Sequence, residues 1–335
     1  MLDDRKSAIL RAVVQEYIET ALPVGSAHLA RTRNLGVSPA TVRNEMAVLE
    51  REGFLAHPHT SAGRIPTDKG YRFFVDTISS PQPGLEPAHK QQVQSFFTQA
   101  HGQLEEMLHD TSRLLSNLTH YAAVVVAPGH EDATVRSVQI VGLGARVALV
   151  VAVLSTGAVE KATIELNEEA VPDRLAAAGA HLAAHLVGLP VIDARPLPAT
   201  GDGRTDALAT AARTALLDCH KHEAEQVFVG GASQMAATFE AVATVRRVLT
   251  ILEQQYVLVT LLQEALSDNR LKVVIGSEHG VESLAECSVV VAPYEVGGMR
   301  TGTIGVLGPT RMNYPQAMAA VAVVGQRLGR HLSES

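Results

Sequence analysis

The chain has 335 residues, 46% of them hydrophobic and 19% charged, with a formal net charge of −7. That length suits two or three domains, and that balance favours packed cores and excludes extended disorder. No run of eighteen apolar residues lacks a charge, and MLDDRKSAIL has no signal-peptide pattern, so a cytoplasmic protein without a membrane span is expected.

The first helix is expected to follow Asp3 and Asp4, acids that suit a helix N-terminus. Its apolar face is Leu10, Val13, Val14, Tyr17, Ile18 and Ala21. LPVGS ends it, Ser26 is expected to cap a second helix reaching about Asn34, and Leu35-Gly36-Val37 turns the chain. Ser38 then caps a third helix with Pro39 at its first position, and Gly53 stops it. Two short helices about a glycine-containing turn form a helix-turn-helix pattern. On the third helix Val42, Met46 and Leu49 share one face, while Ala40, Asn44, Ala47 and Arg51 lie opposite with Arg43 on the flank. Small side chains let such a helix approach a major groove, where Arg bridges guanine O6/N7 and Asn bridges adenine N6/N7.

FLAHPH reads as a strand, TSAGR as a turn and IP as the returning strand. Thr67 caps DKGYRFFVDTI, in which Tyr71, Phe74, Val75 and Ile78 form a helical apolar stripe. A helix-turn-helix followed by a hairpin is a winged helix, predicted here over residues 1–80. It places Ser61, Gly63 and Arg64 at the backbone or minor groove of double-stranded DNA, with Lys69 near phosphate. Local charge agrees: His28 to Arg72 carries seven cations against four acids, on a chain that is acidic after residue 79.

SSPQPGLEP breaks structure and contains a linker over 81–87. Val93, Phe97, Ala100, Leu104, Met107, Thr111, Leu114 and Leu118 then recur at spacings of four and three, which predicts one long helix over 88–120. Such a helix covers a sheet, or adds a helix–helix contact in a dimer. YAAVVVAP, RSVQIVGLG, RVALVVAVLS and AVEKATIEL read as strands of a single antiparallel sheet. Helices are predicted over 168–187, 204–224 and 238–266. KVVIG, SVVVAPY and TGTIGVLGP resume the sheet, and a last helix starts near residue 314.

LGVSPATVRNEMAVLEREGFLAHPHTSAGRIPTDKGYRFFVD resembles the N-terminal domain of the HrcA heat-inducible transcription repressors, above all in SPATVRNEM and PHTSAGRIPTDKGYR. GGMRTGTIGVLGPTRMNYPQA fits the same family, so the resemblance covers essentially the whole chain. It implies an α+β multidomain fold: a winged helix, a GAF-like antiparallel sheet domain over 88–167 and 246–335, and an inserted α/β dimerisation domain over 168–245. It also implies a homodimer that represses heat-shock chaperone operons, binds the CIRCE inverted repeat, and depends on a GroEL-type chaperonin for activity. The family's DNA-reading roles fall on Ser38, Thr41, Arg43 and Asn44, and on Ser61 and Arg64 of the wing.

Enzymatic readings have little support. His181 and His185 stand four apart on a helix, and CHKHE adds Cys219, His220, His222 and Glu223, but neither segment supplies a converging ligand set. No P-loop, GxSxG elbow or dinucleotide fingerprint is present. The two cysteines, Cys219 and Cys287, give no CxxC pair, and no cofactor is expected. A second regulatory reading is a small-molecule effector in the sheet domain, since TGTIGVLGP resembles effector domains of IclR-type repressors.

Overall fold

The computed structural model describes residues 2–33, 35–58, 63–78, 84–99, 103–127, 133–155, 157–166, 168–169, 171–191, 195–222, 226–235, 239, 242–253, 262, 270–296 and 299–334. The N-terminal module runs α1 (Asp4–Thr20), α2 (Ser26–Thr32), α3 (Pro39–Arg51), β1 (Leu55–Ala56), β2 (Ile65–Pro66) and α4 (Asp68–Ile78). Three helices, an antiparallel hairpin and a further helix make the element order of a winged helix. Ile9, Leu10, Val13 and Val14 of α1 bury against Val42, Met46 and Leu49 of α3, as the apolar faces require.

The caps decide where these helices begin. Asp3 accepts from the amide of Lys6 and opens α1, and Ser38 accepts from the amide of Thr41 and opens α3. The expectation for Ser26 was wrong by one position. Gly25 holds the extended N-cap and Ser26 is the first helical residue, with no side-chain cap. The helix also ends at Thr32, short of the expected limit.

The predicted long helix is two. α5 (Pro87–Gln99) and α6 (Leu104–Thr119) flank a break at which Gln103 is extended. The apolar stripe nevertheless continues across it, because Val93, Phe97, Met107, Leu114 and Leu118 bury in one core. Ala100 lies outside the described residues.

The four strands read as one sheet belong to two. β3 (Ala122–Val126) joins the chain's last strands in a five-stranded antiparallel sheet of order β7-β3-β10-β9-β8. Its partners are β7 (Val227–Gly230), β8 (Lys272–Ile275), β9 (Cys287–Val296) and β10 (Met299–Pro309). β7, absent from the sequence reading, lies between two helices and pairs with β3. The sheet is covered on both sides. α6 and the C-terminal α11 (Tyr314–Glu334) bury Ala123, Val125, Val290 and Ile304, while α10 (Val242–Glu253) buries Val124, Val289 and Val291 on the opposite face. That explains why all five residues of β3 are apolar and buried. The short α9 (Ala232–Met235) follows β7.

β4 (Val135–Gly144), β5 (Val147–Leu154) and β6 (Val159–Glu165) form a separate three-stranded sheet with its own core. α7 (Pro172–Leu186) and α8 (Gly203–His222) cover one face, packing Leu175, Ala178, Leu182, Ala212 and Leu216 on Ala148, Val150, Ala152 and Leu154. β5 alternates strictly between buried and half-buried residues. Its second face carries Val147, Leu149, Val151 and Val153, flanked by Val141 and Leu143 on β4 and Val159 on β6, which are 45%, 60% and 46% exposed. Leu149 lies opposite Val141 on one side and Thr163 on the other. No helix among the described residues is long and apolar enough to cross a membrane.

Candidate nucleic-acid interface

α3 presents the face opposite its core residues. Ser38, Ala40, Arg43, Asn44 and Arg51 are exposed, and Ala47 and Thr41 are half-buried. Neither Arg43 nor Asn44 has a hydrogen-bond or ion-pair partner among the described residues, so both heads are available to a ligand. Thr41 is tied to the cap, its hydroxyl 2.9 Å from Ser38 Oγ and its amide donating to the same oxygen at 3.2 Å. Ser38→Ala removes both contacts and is expected to destabilise the protein by about 1 kcal/mol. A urea midpoint unchanged from the native protein would show that Ser38 does not hold this turn.

The wing residues divide. Ser61 lies outside the described residues. Arg64 donates through Nε to Glu50 Oε2 at 2.8 Å, so its guanidinium braces the hairpin against α3. Its backbone exchanges two hydrogen bonds with Val24, at 2.9 and 3.0 Å, which attaches the α1–α2 connection to the hairpin. Gly63 has a steric reason of its own: a Cβ there would stand 2.7 Å from the carbonyl carbon of Pro23, so only glycine lets the two segments approach. Lys69 is exposed, but its ammonium donates to the carbonyl of Glu52 at 2.8 Å and lies 4.3 Å from the Phe54 ring centroid. It thus neutralises the negative end of α3.

Sequence reasoning missed Glu50, whose carboxylate holds Arg64. It also missed Glu16, buried on α1, which accepts from His28 Nε2 at 2.7 Å and Arg33 Nε at 2.9 Å and joins α1 to α2. Burial opposes ionisation of Glu16, but the hydrogen bonds from His28 and Arg33 outweigh it and leave the carboxyl below its usual range.

His181 and His185 are engaged by the backbone around them. His181 Nε2 lies 2.9 Å from the carbonyl of Pro198, and His185 Nδ1 lies 2.9 Å from that of His181. The side chains of His220 and His222, and all of Glu223, lie outside the description, and the described residues hold no group of three metal-ligating side chains. Cys219 is half-buried and Cys287 fully buried; burial pushes the Cys287 thiol up to about 12, which leaves it unreactive near neutrality.

A capped helix with an open Arg/Asn face, beside a hairpin braced on it, is the arrangement expected of a transcription regulator. Residues 105–318 match the family model described as the HrcA protein C terminal domain. The chain is 41% identical over 349 residues to the heat-inducible transcription repressor HrcA of Kineococcus radiotolerans, covering 100% of both chains. It is 41% identical over 341 residues to that of Acidothermus cellulolyticus, again covering 100% of both. A crystal structure described as that of a hypothetical protein shares the fold, with a TM-score of 0.64 and 22% identity over 99% of this chain and 98% of the other. The chain belongs to the HrcA family of heat-inducible transcription repressors. Its role is regulatory, not enzymatic, as the resemblance in the sequence implied.

Proposed function

We propose that the protein represses heat-shock chaperone operons as a homodimer bound to a CIRCE-type inverted repeat, and that a GroEL-type chaperonin restores its active form after heat stress. The observation that carries this reading is the exposed, unpaired Arg43 and Asn44 on the first turns of α3, next to small Ala40 and half-buried Ala47. In the proposal Ser38, Arg43 and Asn44 face bases, Thr41 and Arg51 flank them, and Ser61 with Gly63 carries the wing tip to the backbone. Arg64 and Lys69 hold wing and helix in one frame and contribute positive charge near phosphate.

The domain division follows the two sheets. We assign the inserted dimerisation unit to the β4–β6 sheet with α7 and α8, roughly residues 133–222, instead of 168–245. The GAF-like body is then the five-stranded sheet with α5, α6, α10 and α11. The dimer contact falls on the apolar second face of β4–β6. Three of the six large hydrophobics that stand exposed among the described residues, Val141, Leu143 and Val159, lie there, rimmed by Gln139, Lys161, Thr163 and Glu165. A two-fold dimer matches an inverted repeat arm for arm.

Fluorescence anisotropy with a CIRCE duplex and a scrambled duplex, across a salt series and with or without purified chaperonin, tests the reading. Selective binding that chaperonin strengthens is expected; equal affinity for both duplexes would discard the operator assignment. Arg43→Ala should lose about 1–3 kcal/mol of binding and relax preference at one base pair in each arm. Uniform weakening on every sequence would instead place Arg43 on phosphate.

A further inference from the structure

α4 joins the DNA-binding module to the body, and the junction is polar and specific. Arg72 forks onto Glu278, donating through Nε to Oε1 at 2.9 Å and through a terminal nitrogen to Oε2, and that nitrogen also donates to the carbonyl of Val273 at 2.7 Å. One turn earlier, Asp68 Oδ2 accepts from the amide of Ser277 at 3.0 Å and from its hydroxyl at 2.8 Å. Glu278 is itself fixed, accepting from the amide of Ile275 at 2.9 Å. Beneath these contacts the Tyr71 and Tyr314 rings pack with centroids 5.9 Å apart.

Gly276 makes the approach possible. Its φ is +51°, and a Cβ would stand 2.5 Å from both carboxylate oxygens of Asp68. A side chain there would be strained by the positive φ and would push the Asp68 carboxylate off the β8 turn. The near end of α4 is in turn fastened to the recognition helix. Thr67 donates through Oγ1 to the carbonyl of Gly53 at 2.7 Å and through its amide to that of Phe54 at 3.1 Å, and Lys69 reaches Glu52. An unbroken set of short hydrogen bonds thus runs from the end of α3, through α4, to the edge strand of the five-stranded sheet.

We infer that the junction of Asp68 and Arg72 with Gly276, Ser277 and Glu278 sets the angle at which α3 is held relative to the body, and thereby the separation of operator arms that the dimer accepts. This rests on the proposed dimer and inverted repeat. A bidentate guanidinium–carboxylate pair fixes orientation as well as distance, because its two parallel hydrogen bonds resist rotation. Adding one base pair between the arms moves them about 3.4 Å apart and turns one against the other by about 35°. No hydrogen bond of the junction survives a displacement of that size, so an intact junction makes the protein reject a lengthened centre and a broken one makes it tolerant.

The test uses the full-length protein, with Arg72→Ala, Glu278→Ala and the reversed pair Arg72→Glu/Glu278→Arg. The duplexes are a single arm, the CIRCE repeat, and repeats whose centre is one base pair longer or shorter. Both side chains lie at the surface seam, 31% and 35% exposed, so the variants should stay folded; Ser277→Ala, which removes one hydroxyl, is a milder companion. The native protein should lose about tenfold in affinity or more when the centre changes, the size of one or more mismatched pairs. The single variants should lose threefold or less, with single-arm binding unchanged and the reversed pair partly restoring discrimination. Variants that discriminate as sharply as the native protein overturn the inference. Variants that bind the natural repeat more tightly also overturn it, since the junction would then hold α3 away from DNA. A native protein that binds no duplex selectively, or stays monomeric, removes the underlying reading and the inference with it.

Discussion

Leu149→Asp is expected to leave the protein folded but monomeric, and to reduce its affinity for the full inverted repeat to that of a single arm. The residue lies on the second face of β5, whose alternation sends Ala148 and Val150 into the core and Leu149 away from it. A carboxylate there meets water in the free monomer and costs little. In the proposed dimer it would be buried among Val141, Leu143, Val151 and their partners, with Lys161 on the rim as the nearest cation on that face, at a cost of several kcal/mol. Linking two arm-binding modules raises affinity by about a hundredfold or more, and that gain is lost when the dimer dissociates. Sedimentation equilibrium and anisotropy on one-arm and two-arm duplexes check both halves. A variant that sediments as a dimer would place the interface elsewhere. Val150→Asp, one residue on, separates the two faces: it should unfold the unit, because its side chain sits against α7 and α8.

The parts of this molecule that were legible in the sequence are those fixed by neighbours a few residues apart. Ser38 and Pro39 start α3 because a hydroxyl and a ring with no amide proton suit the first turn, and the Val42, Met46, Leu49 spacing names its buried side. Thr67 caps α4 through a hydrogen bond accepted from Gly70. Pairing of distant segments was not legible. β3 reads like its successors in sequence, yet it pairs with β10, some 180 residues later, and with β7. The unbroken apolar run of β3 reports burial on two faces, and that of β5 reports one face in the core and one left apolar; composition alone does not separate these cases. The break between α5 and α6 was hidden because both helices feed one core, so the stripe keeps its period. At the candidate site the free residues, Arg43 and Asn44, followed from helical geometry. The engaged ones did not: Arg64 looked like a wing-tip cation until Glu50, fourteen residues earlier, was seen to hold it.

Glu16→Gln is expected to destabilise the N-terminal module by about 2–3 kcal/mol at pH 7, less than the roughly 3–5 kcal/mol of a fully buried broken pair because its partners reach solvent. The Glu16 side chain is 9% exposed, whereas those of Arg33 and His28 are 21% and 50% exposed. Arg33 keeps Glu19 as a second acceptor, at 2.6 Å, so the substitution does not strand an unpaired cation. What is lost is the buried part of the ionic tie between α1 and α2, the helix that leads into the turn before α3; the exposed Glu19–Arg33 contact remains. The effect should depend on pH in a defined direction. The folded-state carboxyl of Glu16 titrates below its usual range, so its contribution is fully present above the unfolded-state pKa of about 4.3 and disappears as pH falls through the lower folded value. Urea unfolding of the native protein and the variant at pH 7, 5 and 4, with a further point at pH 3 if the fold persists, measures the gap directly. The stability difference should persist from pH 7 to 5 and should narrow below about pH 4 as the native carboxyl takes up a proton. A difference that stays level to the lowest pH would mean that Glu16 acts through packing and neutral hydrogen bonds alone, and that the charge on α1 does not position the recognition helix.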